Sequence, residues 1–139
     1  MKGYRVLVWT VVFAVAAVGA TAAMAVEAKT FPLMGQKDSP KASGTATIEG
    51  TTLTVTVKGL RPDAVYTVWF VNMQPSMSKA GAGSAPYSFK SDGKGNAKYA
   101  TELGESPVGK WQAIFIIRHP SGDPNDMAKT EDALMTKLM

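Results

Sequence analysis

One histidine and two closely spaced methionines are the residues of this chain with the most specific chemistry to offer. His119 is the only histidine among 139 residues, and Met73 and Met77 stand four apart in one segment. Thioether and imidazole donors together suit Cu(I). Met73 and Met77 follow one strongly apolar stretch and His119 ends another. If the two stretches are neighbouring strands, the three side chains are expected to meet at one end of the fold as a copper site. The ordinary alternative is that the methionines fill gaps in a core and the histidine lies at a strand rim.

Other chemistries find less support. No serine sits in a G-x-S-x-G setting, and His119 is followed by Pro120, so a serine–histidine nucleophile is not expected. Glu102 with Glu105, and Asp123 with Asp126, are carboxylate pairs in loop-like sequence. Acid–base work needs two such groups in a cleft with their pKa values pushed apart, and solvated loop acids are the simpler reading. Gly122-Asp123-Pro124-Asn125-Asp126 offers oxygen ligands but lacks the spacing and distal Glu of a calcium loop. Zero cysteines exclude disulfides, thiolate zinc sites, Fe–S clusters and C-x-x-C-H haem attachment. The expectation is a non-catalytic protein with no cofactor, copper being the alternative.

These residues must be carried by strands. Gly44, Ala46 and Ile48 alternate with threonines, and after Glu49-Gly50-Thr51 the alternation resumes with Leu53, Val55 and Val57. Period-two patterning with β-branched residues around a short glycine-bearing turn predicts a hairpin. Gly59 to Asp63 is a turn. Ala64 to Asn72 and Lys110 to Arg118 are apolar on both faces, which predicts two central strands covered on both sides. Tyr66, Val68, Phe70, Ile114 and Ile116 make one such face. Its cover is expected to be the 73–86 loop or the C-terminal tail, or else a partner or a second copy. Tyr87 to Lys90 and Ala97 to Leu103 flank Asp92-Gly93-Lys94-Gly95-Asn96 and predict a second hairpin. Lys90, Lys94 and Lys98 along it read as a charged edge against aggregation and not as a nucleic-acid surface. Residues 126–139 read equally as helix, from Leu134 and Leu138 at i,i+4 spacing, or as a closing strand.

The first 25 residues say where the protein works. Lys2 and Arg5 precede the uncharged Val6–Ala20 run, and Ala23-Met24-Ala25 has the small-x-small pattern of a signal-peptidase site. A membrane-spanning helix, needing about 20 apolar residues, is the alternative. Cleavage leaves 114 residues, one domain's worth, and lowers the formal net charge from +4 to +2. So near-neutral a chain has no general attraction for nucleic acid or anionic lipid.

Tyr66-Thr-Val-Trp-Phe-Val-Asn72, Gly81-Ala-Gly-Ser-Ala-Pro86 and Trp111-Gln through His119-Pro-Ser-Gly-Asp-Pro124 resemble a group of small exported bacterial proteins with no established function. The turn Gly59-Leu60-Arg61-Pro62 before a Tyr/Trp strand is more loosely similar to secreted Greek-key sandwiches such as the chordin-type domain. The resemblance implies fold and export and carries no activity. The expected organisation is a signal helix at 1–25, an extended arm at 26–41 with Phe31 and Leu33 against the body, and a single-domain all-β antiparallel Greek-key β-sandwich of six to eight strands, immunoglobulin-like, at 42–139. The expected function is an exported, periplasmic or extracellular, binding or structural module. Its ligand is unspecified, with a protein partner or self-association in view and no nucleic acid or membrane. The alternative is a periplasmic copper-binding protein using Met73, Met77 and His119.

Overall fold

A computed structural model describes residues 27–139, so the expected signal segment lies outside the described residues. The described chain is all β. Nine strands run β1 (Ala28–Gly35), β2 (Ser43–Glu49), β3 (Thr52–Lys58), β4 (Val65–Asn72), β5 (Ser78–Gly81), β6 (Ser88–Lys90), β7 (Ala97–Glu102), β8 (Ala113–His119) and β9 (Glu131–Lys137). They form one antiparallel sheet in the order β5-β4-β8-β9-β1-β2-β3-β7, with β6 sharing the outer edge of β4 with β5.

The alternation that predicts the first hairpin works as expected. Ala46, Ile48, Leu53, Val55 and Val57 are buried, while Thr45, Thr47, Thr54 and Thr56 pair in register on the other face. The two central strands are also neighbours, from Val65 opposite His119 to Val71 opposite Ala113. Tyr66, Val68, Phe70, Ile114 and Ile116 turn inward. Their cover comes from within the chain, with Ala82 of the 73–86 loop and Leu134 and Leu138 of the C-terminal segment in the same cluster. The sheet curls, and β1, β2 and β3 bring Leu33, Ile48, Leu53 and Val55 against them in one core.

Two expectations need correction, and of the two readings of the C-terminal segment one is found. The N-terminal stretch read as an arm contains β1, which pairs with β2 over Ala28–Met34 and with β9 at Met34 and Gly35. The C-terminal segment is a strand, not a helix, and lies inside the sheet between β8 and β1. A bulge there sets Ile116 opposite Leu134 but Ile117 opposite Asp132, leaving Ala133 as the extra residue. Ala133 and Leu134 are therefore both buried, which breaks the alternation that would have marked a strand.

The second hairpin is not one. Its turn forms, with Asp92 N–H donating to Asn96 O at 2.9 Å and the Asp92 carboxylate accepting from the N–H groups of Lys94 and Asn96. Those N–H groups hold the Asp92 carboxyl below the usual carboxylate range. Its two arms separate, however, β6 pairing with β4 and β7 with β3. Buried Ser91 pulls the first arm away: its hydroxyl donates to Arg61 O at 2.5 Å and accepts from Ala64 N–H at 2.9 Å. Aromatic rings fill the opening. Phe89 stacks on Tyr66 at 5.4 Å and lies 6.0 Å from Tyr99, whose hydroxyl donates to Ala82 O at 2.6 Å. The ends of the curled sheet thus meet through side chains.

One end of the core is closed by an ion cluster. The Asp38 side chain, 2 % exposed, accepts from Arg118 Nε at 3.0 and 3.1 Å, from Arg61 Nε at 3.1 Å and from Ser39 Oγ at 3.0 Å. Burial pushes the Asp38 carboxyl up, but hydrogen bonds from Arg118 and Ser39 and the two guanidinium charges outweigh it, and the pKa is lowered. Arg118 is largely buried and Arg61 is about half exposed, at 18 % and 56 %. Removing the carboxylate strands a buried charge, so Asp38→Asn is expected to cost about 3 kcal/mol. Arg61→Ala is expected to cost under about 1 kcal/mol. Because the folded-state pKa lies below the unfolded value of about 3.9, the contribution is full above that value and is lost as pH falls through the folded pKa. Urea unfolding from pH 7 down to pH 3 should show a loss of stability on acidification that is smaller in Asp38→Asn.

Candidate functional site

The outward face of β4 and β8 should be polar if it simply met solvent, and it is not. Trp69 and Phe115 are directly opposite each other, and Met135 of β9 and then Met34 of β1 extend the same row. Val71 and Ile117 flank it. Above this floor lies a groove of about 260 Å³, rimmed by Met73, Met77 and Lys79 on one side and by Met127, Thr130 and Asp132 on the other. Trp69 is held from two sides. Lys79 Nζ lies 5.3 Å from the centre of the indole, a cation–π distance, and the Tyr87 ring meets it edge-on at 5.3 Å. Gly81 opposite Trp69 is what admits Tyr87, since a Cβ there would lie 2.1 Å from the Tyr87 ring.

Methionine is distributed unusually. Among the described residues the exposed large hydrophobic side chains are Met34, Met73, Met77, Met127 and Met139, all methionines. The buried core cluster contains none. The gap-filling role is therefore not theirs; Leu, Ile, Val and aromatic rings fill the interior.

The expected trio does not come together. Antiparallel pairing sets His119 opposite Val65, at the start of β4, whereas Met73 follows its end. The two positions are about 25 Å apart along the strand. His119 is also 2 % exposed and fully engaged. Trp69 Nε1–H donates to Thr67 Oγ1 at 2.7 Å, and Thr67 Oγ1 lies 2.7 Å from His119 Nε2. His119 Nδ1 lies 3.1 Å from Asp126 O, which can only accept. The arrangement is satisfied when Nδ1 carries the proton and the Thr67 hydroxyl donates to Nε2. Neither ring nitrogen has a lone pair left for a metal, so the ligand role expected of His119 is withdrawn. Met73 and Met77 do line one groove, and the third methionine there is Met127.

The acidic pairs are also occupied locally. Glu102 accepts from the hydroxyls of Thr51 and Thr52, and Glu105 pairs with Lys110 at 2.8 Å. Asp123 accepts from Asn125 N–H and Asp126 from Ala128 N–H, closing short turns. Among the described residues no three His, Cys, Asp or Glu side chains gather to hold a metal ion. The chain matches no protein-family model, and comparison with curated proteins and with solved structures finds no similar protein.

Thr67 is the hub of this face, its hydroxyl serving an indole and an imidazole while wholly buried. Thr67→Val keeps shape but leaves Trp69 Nε1–H and His119 Nε2 without that partner, and is expected to cost about 2 kcal/mol. Thr67→Ser keeps the hydroxyl and should retain most of the stability, both read by thermal or urea unfolding.

Proposed function

We propose that the protein is an exported, non-catalytic binding module whose recognition surface is the groove over Trp69 and Phe115, and that its occupant is an apolar segment of a partner protein. The observation that supports this reading is the rim: an apolar aromatic floor bordered by methionines that stay exposed. A patch of exposed apolar side chains in one place marks an interaction site. Methionine's unbranched thioether chain adapts to varied partners. Export rests on the leading segment, Lys2 and Arg5 before the Val6–Ala20 run and Ala23-Met24-Ala25. We read the curled sheet as a Greek-key sandwich. The Tyr66 hydroxyl supports that, accepting from Arg61 N–H at 3.1 Å five residues upstream in the manner of a tyrosine corner.

The apolar dye 1-anilinonaphthalene-8-sulfonate tests the groove. The folded protein is expected to enhance its fluorescence, and the double change Met73→Glu with Met77→Glu to reduce dye affinity at least fivefold, while Thr45→Glu on the other half of the sheet leaves it unchanged. Absence of enhancement, or equal affinity in the double variant, would overturn the assignment.

A further inference from the structure

We propose that Met73, Met77 and Met127 form a binding site for a soft monovalent cation, Cu(I) or its redox-inert stand-in Ag(I), on the groove described above. The proposal rests on the groove reading for its location but not on the occupant given there.

Three observations carry it. The first is donor type. The sulfur atoms at this groove come from residues in two separate segments, Met73 and Met77 from the β4–β5 connection and Met127 from the β8–β9 connection. Thioether sulfur is a neutral, soft donor that suits Cu(I) and is a poor match for Ca²⁺, Mg²⁺ or Mn²⁺, which take oxygen. The second is access. Met73, Met77 and Met127 are 41 %, 71 % and 39 % exposed, so their side chains, each with three rotatable bonds, can reorient without opening the core. The third is the treatment of charge. The groove already holds a cation against its aromatic floor, the Lys79 ammonium over Trp69, and Asp132 supplies a carboxylate on the opposite rim. An indole face attracts cations through its quadrupole, but Lys79 already takes that face and repels a second cation, so it is the Asp132 carboxylate that would balance the charge of a bound ion.

Selectivity follows from what is withheld. His119, the one imidazole of the chain, has both nitrogens committed to Thr67 and Asp126. The site therefore lacks the nitrogen donor that Cu(II) and Zn(II) favour, and Zn(II) should not compete.

Titrating Ag(I) into the purified protein carrying ¹³C-methyl methionine tests the assignment residue by residue. The methyl signals of Met73, Met77 and Met127 are expected to shift together and saturate at one equivalent, with those of Met34 and Met139 unmoved. Met127→Leu is expected to weaken binding at least tenfold, and the triple Leu variant to abolish it. No shift at millimolar Ag(I), equal shifts at all five exposed methionines, or binding that survives in the triple variant would each overturn the site. Leucine keeps the groove apolar, so the same triple variant should still bind 1-anilinonaphthalene-8-sulfonate. Loss of Ag(I) binding with dye binding kept supports the metal site, whereas dye binding by a wild-type protein that ignores Ag(I) overturns the metal site and leaves the groove reading standing.

Discussion

The buried carboxylate of Asp38 is the constraint around which the rest of the structure is arranged. A carboxylate taken out of water costs several kcal/mol unless it is paired and hydrogen-bonded. Here the partners are Ser39 beside it and two residues distant in the chain, Arg61 in the turn before β4 and Arg118 near the end of β8. Satisfying one charge therefore fixes the β1–β2 connection against both central strands. The backbone reinforces this, since Gln36 N–H and Asp38 N–H donate to Ala133 O and Asp132 O and carry the pairing with β9 beyond β1. With that corner fixed, Tyr66 lies directly inside it, its hydroxyl pKa raised chiefly by burial and then by the Asp38 charge, with the Arg61 N–H bond acting the other way. The ring of Tyr66 starts the aromatic series through Phe89 to Tyr99 that joins the two ends of the curl.

Curling decides which face of β4 and β8 is core and which is groove. Both faces are apolar, and nothing in the alternation of a single strand ranks them. The inward face wins because Tyr66, Val68, Phe70, Ile114 and Ile116 meet β1, β2 and β3 across the interior. The outward face keeps Trp69 and Phe115 partly exposed, whereas Thr67 and His119 are buried and His119 is bonded to Asp126 O of the β8–β9 connection. The outer edge of β4 is meanwhile closed by its own neighbours. Where β5 gives way to β6, Val68 N–H donates to Tyr87 O and Val68 O accepts from Ala82 N–H, so this edge offers no free ladder to another strand.

Much of the architecture was legible in the sequence where the pattern is local. The Gly44–Lys58 hairpin and the two central strands follow from period two and from two-faced apolarity. Legibility fails where long-range pairing overrides local pattern. Pro32 argues against a strand, yet β9 reaches β1 only at Met34 and Gly35, so residues 28–33 keep one open edge on which proline is tolerated. Ser91 opens an apparent hairpin through bonds to Arg61 and Ala64, residues some thirty positions away that no turn rule includes. At the candidate site, the error over His119 was one of direction. Neighbouring antiparallel strands place the end of one beside the start of the other, so β8 carries His119 away from Met73. Nothing in the spacing of residues 120–130 pointed to Met127.

His119 nevertheless shapes the groove from which its ligand role is withdrawn. Its Nδ1 holds the carbonyl of Asp126, the residue immediately before Met127, and its Nε2 is fixed through Thr67 to the indole of Trp69. One imidazole thus ties the loop that delivers a rim methionine to the ring that forms the floor. With both nitrogens bonded, the imidazole fixes the loop. The groove is left with sulfur and aromatic carbon at its centre and with Lys79 and Asp132 as opposite charges at its rim. Thioether sulfur and aromatic carbon are poor donors for hard cations, and the bonded imidazole adds no nitrogen to them.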